Sequence, residues 1–99
     1  MAAAGMKILI SDSLSKQGVE VLEKAGFTVV VKSKMPKDEL LKEIKDADGL
    51  IVRSGTKVTE ELLAAAEKLK VVGRAGSGLD NVDTPAATRR GIVVMNTPG

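Results

Sequence analysis

Short apolar runs that alternate with segments of helical length are the feature that most limits how this chain can fold. The runs are Met6–Ile10, Phe27–Val31, Leu50–Val52, Val71–Val72 and Ile92–Met95. Apolar runs this short and this rich in β-branched residues are typical of strands buried on both faces. Parallel strands need a crossover of about a dozen residues or more, usually a helix. The pattern therefore predicts an α/β domain with a parallel sheet.

Four segments between these runs carry apolar residues at helical spacing. The first predicted helix runs from about Ser15 to Ala25, with the stripe Val19, Leu22 and Ala25, and the second has its first turn at Pro36, with the stripe Leu40, Leu41, Ile44 and Ala47. The third follows Thr59 and has the stripe Leu62, Leu63, Ala66 and Leu69. The fourth runs from about Thr84 or Pro85 to Arg90, with Ala86 and Ala87 directed inward. Thr59 is a suitable N-cap, Gly26 and Gly91 are placed to end helices, and Asp48-Gly49 is expected to end the second helix.

The order of the strands decides which face each helix covers, because crossovers between parallel strands are right-handed. We predict a flavodoxin-like open parallel five-stranded sheet with the order 2-1-3-4-5. In that order the first helix covers one face, while the second, third and fourth helices cover the other. A fifth helix is then missing beside strands four and five. Bare sheet of this kind should expose an apolar patch, which favours self-association, exchange of an element between chains, or marginal stability.

The composition is that of one ordinary globular domain. The chain has 99 residues, of which 43% are hydrophobic and 28% are charged. Met1–Gly5 is expected to be a disordered tail or an expression remnant, so the domain is assigned to residues 6–99. A formal net charge of +2 and the lack of Trp and Tyr argue against a nucleic-acid partner. No apolar run approaches the roughly 18 residues of a membrane helix.

The chain contains neither cysteine nor histidine. Without cysteine there is no disulfide, thiol nucleophile or thiolate metal site, which fits a reducing cytoplasm, and we expect no metal. Without histidine the usual general base at neutral pH is missing. The residue that moves a proton in any catalysis that this chain serves is therefore expected to lie elsewhere.

A glycine-rich loop follows the fourth strand, within the segment Val71–Asp83. Gly76 and Gly78 allow backbone angles that other residues avoid, and they allow a ligand to approach the main-chain amides. The run from Gly76 begins like the dinucleotide fingerprint G-x-G-x-x-G, but Asn81 stands in place of its third glycine. The loop is therefore interpreted as a small-anion site and not as the cofactor site, although glycines that only turn the chain remain an alternative.

Polar and glycine residues follow strands three, four and five, whose carboxyl ends meet at one edge of the sheet. They are Arg53, Ser54, Arg74, Gly76, Ser77, Gly78, Asn96 and Thr97. Ligands of open parallel sheets bind outside the carboxyl ends of the strands. Arginine suits carboxylate or phosphate because its planar guanidinium donates two parallel hydrogen bonds. An anion pocket is predicted here, with Arg53 as a solvated surface residue as the alternative.

Several of these segments closely resemble the phosphoglycerate dehydrogenase branch of the D-2-hydroxyacid dehydrogenase family. The resemblance lies in Ile10–Leu14, Leu50–Ser54, Ala65–Leu69, Val71–Asp83, Ala86–Gly91 and Met95–Pro98. It covers essentially the whole chain after Gly5. The resemblance implies an enzyme that oxidises 3-phosphoglycerate to 3-phosphohydroxypyruvate with NAD, in serine biosynthesis.

The resemblance also implies roles for single residues. Arg53 and Ser54 would bind the phosphate or carboxylate of a small phosphorylated 2-hydroxy acid, and the position of Arg74 at the end of strand four adds it to the predicted substrate site. The amides of Gly76, Ser77 and Gly78 would hold the carboxylate, while Ser77, where the family often has Thr, would touch NAD. The nucleotide lobe, which binds most of NAD, and the catalytic His, Glu and Arg would all lie beyond Gly99. The chain is therefore expected to be the N-terminal segment of the substrate-binding lobe, inactive alone.

A stand-alone flavodoxin-like module for signalling or for binding small anions is the alternative function. A response-regulator receiver should carry an acidic residue after strand three and Lys after strand five, where this chain has Arg53 and Asn96. A flavodoxin should carry a phosphate loop with glycine after strand one and aromatic residues that stack on the flavin. Ser11–Ser15 has hydroxyls but lacks that glycine, and Tyr and Trp are absent.

Overall fold

A single parallel sheet organises the computed structural model, which describes residues 6–12, 16–32, 35–53, 56–74 and 81–96. The strands are β1 (Lys7–Ile10), β2 (Thr28–Val31), β3 (Gly49–Val52), β4 (Val71–Arg74) and β5 (Val93–Asn96). The helices are α1 (Lys16–Lys24), α2 (Lys37–Glu43), α3 (Glu60–Ala65) and α4 (Thr84–Arg89), and a 3-10 turn (Ile44–Asp46) follows α2. The tail predicted at residues 1–5 lies outside the described residues.

The sheet has the order β2-β1-β3-β4-β5, and every pair of neighbours is parallel. The predicted flavodoxin-like topology is therefore confirmed. The register aligns Leu9, Leu50, Val72 and Val94 in one row across the sheet. Because side chains alternate between the two faces of a strand, this row points to one face and the residues on either side of it point to the other.

The core lies between that row and the three helices α2, α3 and α4. Leu9, Leu50 and Val72 are at most 1% exposed. The helices and the segments beside them contribute the other large buried side chains, which are Ile44, Leu62, Leu63, Leu69, Val58, Val82 and Ile92. The predicted stripes of the second and third helices thus face the core, although Leu40 and Leu41 at its margin are only partly buried.

The local signals for helix ends act as their chemistry requires, with one correction. The side-chain oxygen of Thr59 accepts a hydrogen bond from the amide of Leu62, and Gly26 and Gly91 adopt φ angles of 99° and 73° after α1 and α4. Pro36, which was predicted to lie in the first turn of α2, is instead the N-cap of that helix. No helix in the described ranges is long and apolar enough to span a membrane.

Gly49 belongs to β3, so this strand begins one residue earlier than predicted, and α2 has already ended before the Asp48-Gly49 step. A Cβ at Gly49 would lie 2.6 Å from Cδ1 of Ile8 on the neighbouring strand. The missing side chain therefore leaves room for Ile8 to lie across β3 on the face of the sheet that α1 shares.

The face beside β4 and β5 that α1 shares carries no further helix among the described residues. Val93 and Met95 of β5 are 58% and 53% exposed. A largely apolar groove of about 510 Å³ runs over this face, lined by Ile8, Gly18, Val21, Leu22, Phe27, Gly49, Leu50, Ile51, Val71, Gly73, Arg74 and Met95. We name it the open face.

Helix α1 contains no fully buried residue. Leu22 and Val19 of its predicted stripe are only half-buried, and Ala25 is exposed and lies beyond the end of the helix. The side chains of this stripe are thus only partly covered by the described part of the chain.

Ion pairs connect β1, β2 and α2. Lys7 Nζ lies 2.7 Å from an Asp46 carboxylate oxygen and 3.6 Å from one of Glu43, while Lys32 Nζ lies 2.9 Å from the other Glu43 oxygen. The hydrogen bond from Lys32 lowers the pKa of Glu43 below its ordinary value of 4.5, and that from Lys7 lowers the pKa of Asp46. These carboxylates are therefore better stabilised as anions in the folded chain than in the unfolded chain.

The buried row across the sheet predicts a large cost for truncating Leu50. We expect Leu50→Ala to lower the free energy of unfolding by about 2 to 5 kcal/mol, since it removes apolar contacts and leaves a cavity. Met95→Ala, on the exposed edge strand, should change it by less than about 0.5 kcal/mol. Urea unfolding followed by circular dichroism measures both, and equal losses would contradict this description of the core.

The lowered pKa of Glu43 predicts a loss of stability in acid. Its contribution should be fully present above pH 4.5 and should disappear as the pH falls through the lower folded-state pKa. In Lys32→Met the midpoint of the Glu43 carboxyl, followed by NMR, should move up toward the ordinary value. In Lys24→Met, which removes a distant lysine, it should stay where it is. An unmoved midpoint in Lys32→Met would show that this pair does not cause the shift.

Candidate functional site

Three of the predicted site residues lie at the carboxyl edge of the sheet. Arg53 directly follows β3, while Arg74 and Asn96 end β4 and β5 and are partners in the strand register. Val52 is the partner of Arg74 on the other side. This edge is where a parallel sheet places its ligands. Ser54, Gly76, Ser77, Gly78 and Thr97 lie outside the described residues, and the binding roles of all eight stay predictions.

The side chain of Asn81 connects the two arginines. Its Oδ1 accepts a hydrogen bond of 2.7 Å from Arg74 Nε. Its Nδ2 donates to the carbonyl oxygens of Arg53 at 2.6 Å and of Thr56 at 2.5 Å. The guanidinium that ends β4 and the backbone that leaves β3 are thereby held on one side chain.

Asp12, just after β1, holds the amides of the same two residues. Its Oδ2 accepts hydrogen bonds from the backbone N–H of Arg53 at 2.6 Å and of Thr56 at 3.1 Å. Beside it, the buried hydroxyl of Ser11 donates to Oγ1 of Thr56 at 2.9 Å. At both Arg53 and Thr56, then, Asp12 binds the N–H group and Asn81 binds the carbonyl.

A short backbone bridge joins the segment after β3 to the segment after the glycine-rich loop. Val58 pairs with Val82 in parallel orientation. The amide of Val58 donates to the carbonyl of Asn81, and the amide of Asp83 donates to the carbonyl of Val58, both at 2.8 Å. Asp83 in turn caps α4 by accepting a hydrogen bond from the amide of Ala86. The backbone of Asn81 is therefore held independently of its side chain.

A groove of about 600 Å³ opens beside these contacts. Its lining residues are Lys57, Val58, Thr59, Arg74, Asn81, Val82 and Asp83. Among the described lining residues two carry cations, Lys57 and Arg74, and one carries a carboxylate, Asp83, which already accepts a hydrogen bond from the amide of Ala86 in α4. This lining suits a small acid and includes no histidine, the usual general base at neutral pH. Within the described ranges, no group of acidic side chains could hold a metal ion.

Asp12, Thr56 and Asn81 were not predicted as site residues. Asn81 could have been noticed, because it replaces the third glycine of the dinucleotide fingerprint. A residue with a polar side chain at a glycine position of a motif can contribute hydrogen bonds that glycine cannot. Asp12 follows β1 at the same edge of the sheet, so topology alone brings it near Arg53. No motif or spacing in the sequence indicated Thr56.

Comparison with known proteins shows similarity over nearly the whole chain. The family model for the catalytic domain of D-isomer specific 2-hydroxyacid dehydrogenases matches residues 8–99. D-3-phosphoglycerate dehydrogenase of Sus scrofa is 58% identical over 99 residues, which are 99% of this chain and 19% of that protein. The enzyme of the same name from Methanocaldococcus jannaschii is 54% identical over 93 residues, 94% of this chain and 18% of that protein. The chain thus spans about a fifth of the length of these relatives.

A solved structure gives the same result. The crystal structure of NAD+-bound 3-phosphoglycerate dehydrogenase from Entamoeba histolytica superposes with a TM-score of 0.86 and 46% sequence identity. The match covers 96% of this chain and 33% of that one. The similarity therefore extends from the sequence to the arrangement of the strands and helices.

Proposed function

The chain belongs to the D-isomer specific 2-hydroxyacid dehydrogenase family, and from that membership we propose that it is the substrate-binding segment of an NAD-dependent D-3-phosphoglycerate dehydrogenase. The observation that carries the proposal is the connection of Arg53 and Arg74 through Asn81 at the carboxyl edge of the sheet. Two arginines at this edge, one held at its guanidinium and one at its backbone, suit a small substrate that carries both a carboxylate and a phosphate. The stand-alone module has no such support among the relatives, which are dehydrogenases.

In this proposal the segment binds and orients the acid. Arg53 and Ser54 hold the phosphate or carboxylate, since charge-assisted hydrogen bonds from arginine are strong and directional. Arg74 adds the second cation, and the amides of Gly76, Ser77 and Gly78 receive the carboxylate. Each contact fixes the orientation of the substrate, which lowers the entropy that the reaction has to lose.

NAD accepts the hydride when it is bound, and a nucleotide lobe outside this segment supplies most of its contacts. Within the segment only the hydroxyl of Ser77 is assigned to the cofactor. The described groove, with its two cations and about 600 Å³, suits a small acid better than a dinucleotide. Because the chain has no histidine, the proton of the substrate hydroxyl is removed by a residue of the other lobe. The cytoplasmic location stays a prediction.

The segment should therefore show no activity by itself. We expect no phosphoglycerate-dependent formation of NADH by the 99-residue chain, and NADH formation by the full-length protein that carries it, both followed by absorbance. Turnover by the isolated chain would refute the assignment of the proton transfer to another lobe.

In the full-length protein, Arg53→Ala should raise the KM for 3-phosphoglycerate. A hydrogen bond to a charged group is worth about 1.5 to 3 kcal/mol, so we expect an increase of about tenfold to a hundredfold. The KM for NAD should hardly change. Arg89→Ala is the control, since it removes an exposed arginine at the end of α4 that lies 3.6 Å from Glu60 and is not assigned to the site. An unchanged KM in Arg53→Ala would remove this arginine from the substrate site.

The isolated chain should also self-associate through the open face. Apolar surface of this extent on a small domain usually finds a partner. Met95→Lys places a charge in the middle of the exposed patch and should reduce the apparent mass measured by light scattering. Thr88→Lys, on the exposed side of α4, should not. A monodisperse wild-type monomer at millimolar concentration would contradict the prediction.

A further inference from the structure

We propose that Asn81 is a positioning residue, which sets the separation and orientation of Arg53 and Arg74 for the acidic groups of the substrate. Asp12 is its counterpart, because it binds the backbone amide of Arg53 from the end of β1. The inference rests on the proposed function of this edge. It adds a device that holds the guanidinium of Arg74 and the backbone of Arg53 before the substrate arrives.

The donor and acceptor atoms of the Asn81 side-chain amide all take part in hydrogen bonds. A side-chain amide has two N–H donors and one carbonyl acceptor. Both donors engage backbone carbonyls, of Arg53 and Thr56, and the acceptor engages Nε of Arg74. Turned by half a revolution, the amide would place its oxygen against two carbonyl oxygens and its N–H groups against the guanidinium. Only one orientation therefore satisfies all three partners.

No other residue type of this size reproduces the arrangement. Aspartate keeps an acceptor for Arg74 but would bring a carboxylate against two carbonyl oxygens. Alanine removes all three hydrogen bonds, and so would the glycine that a dinucleotide fingerprint has at this position. The asparagine thus accounts for the departure of the loop from that fingerprint.

Asp12 completes the fixation of the backbone at Arg53. One of its carboxylate oxygens accepts from the amides of Arg53 and Thr56, whose carbonyls Asn81 binds. Arg53 itself is exposed, so water could satisfy its backbone groups without this arrangement. What the two side chains add is a fixed backbone from which the side chain of Arg53 leaves, which preorganises the site and lowers the entropy lost on binding.

Kinetics of the full-length protein test the role directly. Asn81→Ala should raise the KM for 3-phosphoglycerate about tenfold and leave the KM for NAD within twofold. Asn81→Asp, which matches asparagine in size and keeps an acceptor for Arg74, should also raise the KM for 3-phosphoglycerate. In the Arg74→Ala background Asn81→Ala should raise the KM for 3-phosphoglycerate by a smaller factor than in the wild type, because part of the effect of Asn81 is exerted through Arg74.

Leu69→Ala is the control for general destabilisation. Leu69 is buried but precedes β4, at the opposite end of that strand from Arg74. Its KM for 3-phosphoglycerate should stay within twofold of the wild type. Equal effects of Leu69→Ala and Asn81→Ala, or no effect of either Asn81 variant, would overturn the proposal. Failure of both Asn81 variants to fold would do so too, because Asn81 would then serve the fold.

Two NMR measurements on the 99-residue chain separate this proposal from the proposed function. Asp12→Ala should accelerate hydrogen exchange at the amides of Arg53 and Thr56 about tenfold or more, and Asn81→Ala should do the same at Nε–H of Arg74. If the full-length protein did not oxidise 3-phosphoglycerate, the proposed function would fail while these exchange rates still tested the positioning. Unchanged rates in an active enzyme would overturn the positioning alone.

Discussion

The side-chain amide of Asn81 is the interaction on which the described part of the candidate site depends. Its three hydrogen bonds join the end of β4 to the segment that leaves β3, and Asp12 ties the same segment to the end of β1. The carboxyl ends of three strands are thereby connected through polar side chains. Functional groups are placed most precisely when neighbouring side chains hold the elements that carry them. Here the guanidinium of Arg74 is held directly, whereas Arg53 is held at its backbone and is itself exposed.

The fold could be predicted from the sequence because its signals are local and agree with one another. Apolar runs marked the strands, and Thr59, Gly26 and Gly91 marked helix ends by chemistry that operates within a few residues. Once the strand order was assumed, right-handed crossovers assigned each helix to its face. The differences arose where neighbours decide the outcome: Gly49, predicted to end a helix, pairs with Ile8 and Val71 as the first residue of β3, and Ala25 lies beyond the end of α1.

The site was predictable only at the level of the edge. Topology places Arg53, Arg74 and Asn96 together, since parallel strands bring their carboxyl ends to one side. The contacts among them depend on partners that are 7 to 44 residues apart, such as Arg74 with Asn81 and Asp12 with Thr56. No periodicity in a single sequence reports such pairs. The departure of Asn81 from the glycine fingerprint was visible in the sequence. Its role could be recognised only once the carbonyl groups of Arg53 and Thr56 were seen beside its side chain.

The two faces and the carboxyl edge of this sheet carry different kinds of interaction. The face under α2, α3 and α4 holds the buried row and supplies most of the apolar burial in the described chain. The open face presents a largely apolar groove, and Val93 and Met95 on the same face are exposed. The edge carries the hydrogen bonds of Asp12 and Asn81, which hold the backbone after β3 and the guanidinium of Arg74. Apolar packing and polar positioning are separated in this way because a strand directs its side chains to the two faces of the sheet, whereas polar groups that follow the strands meet at the carboxyl edge.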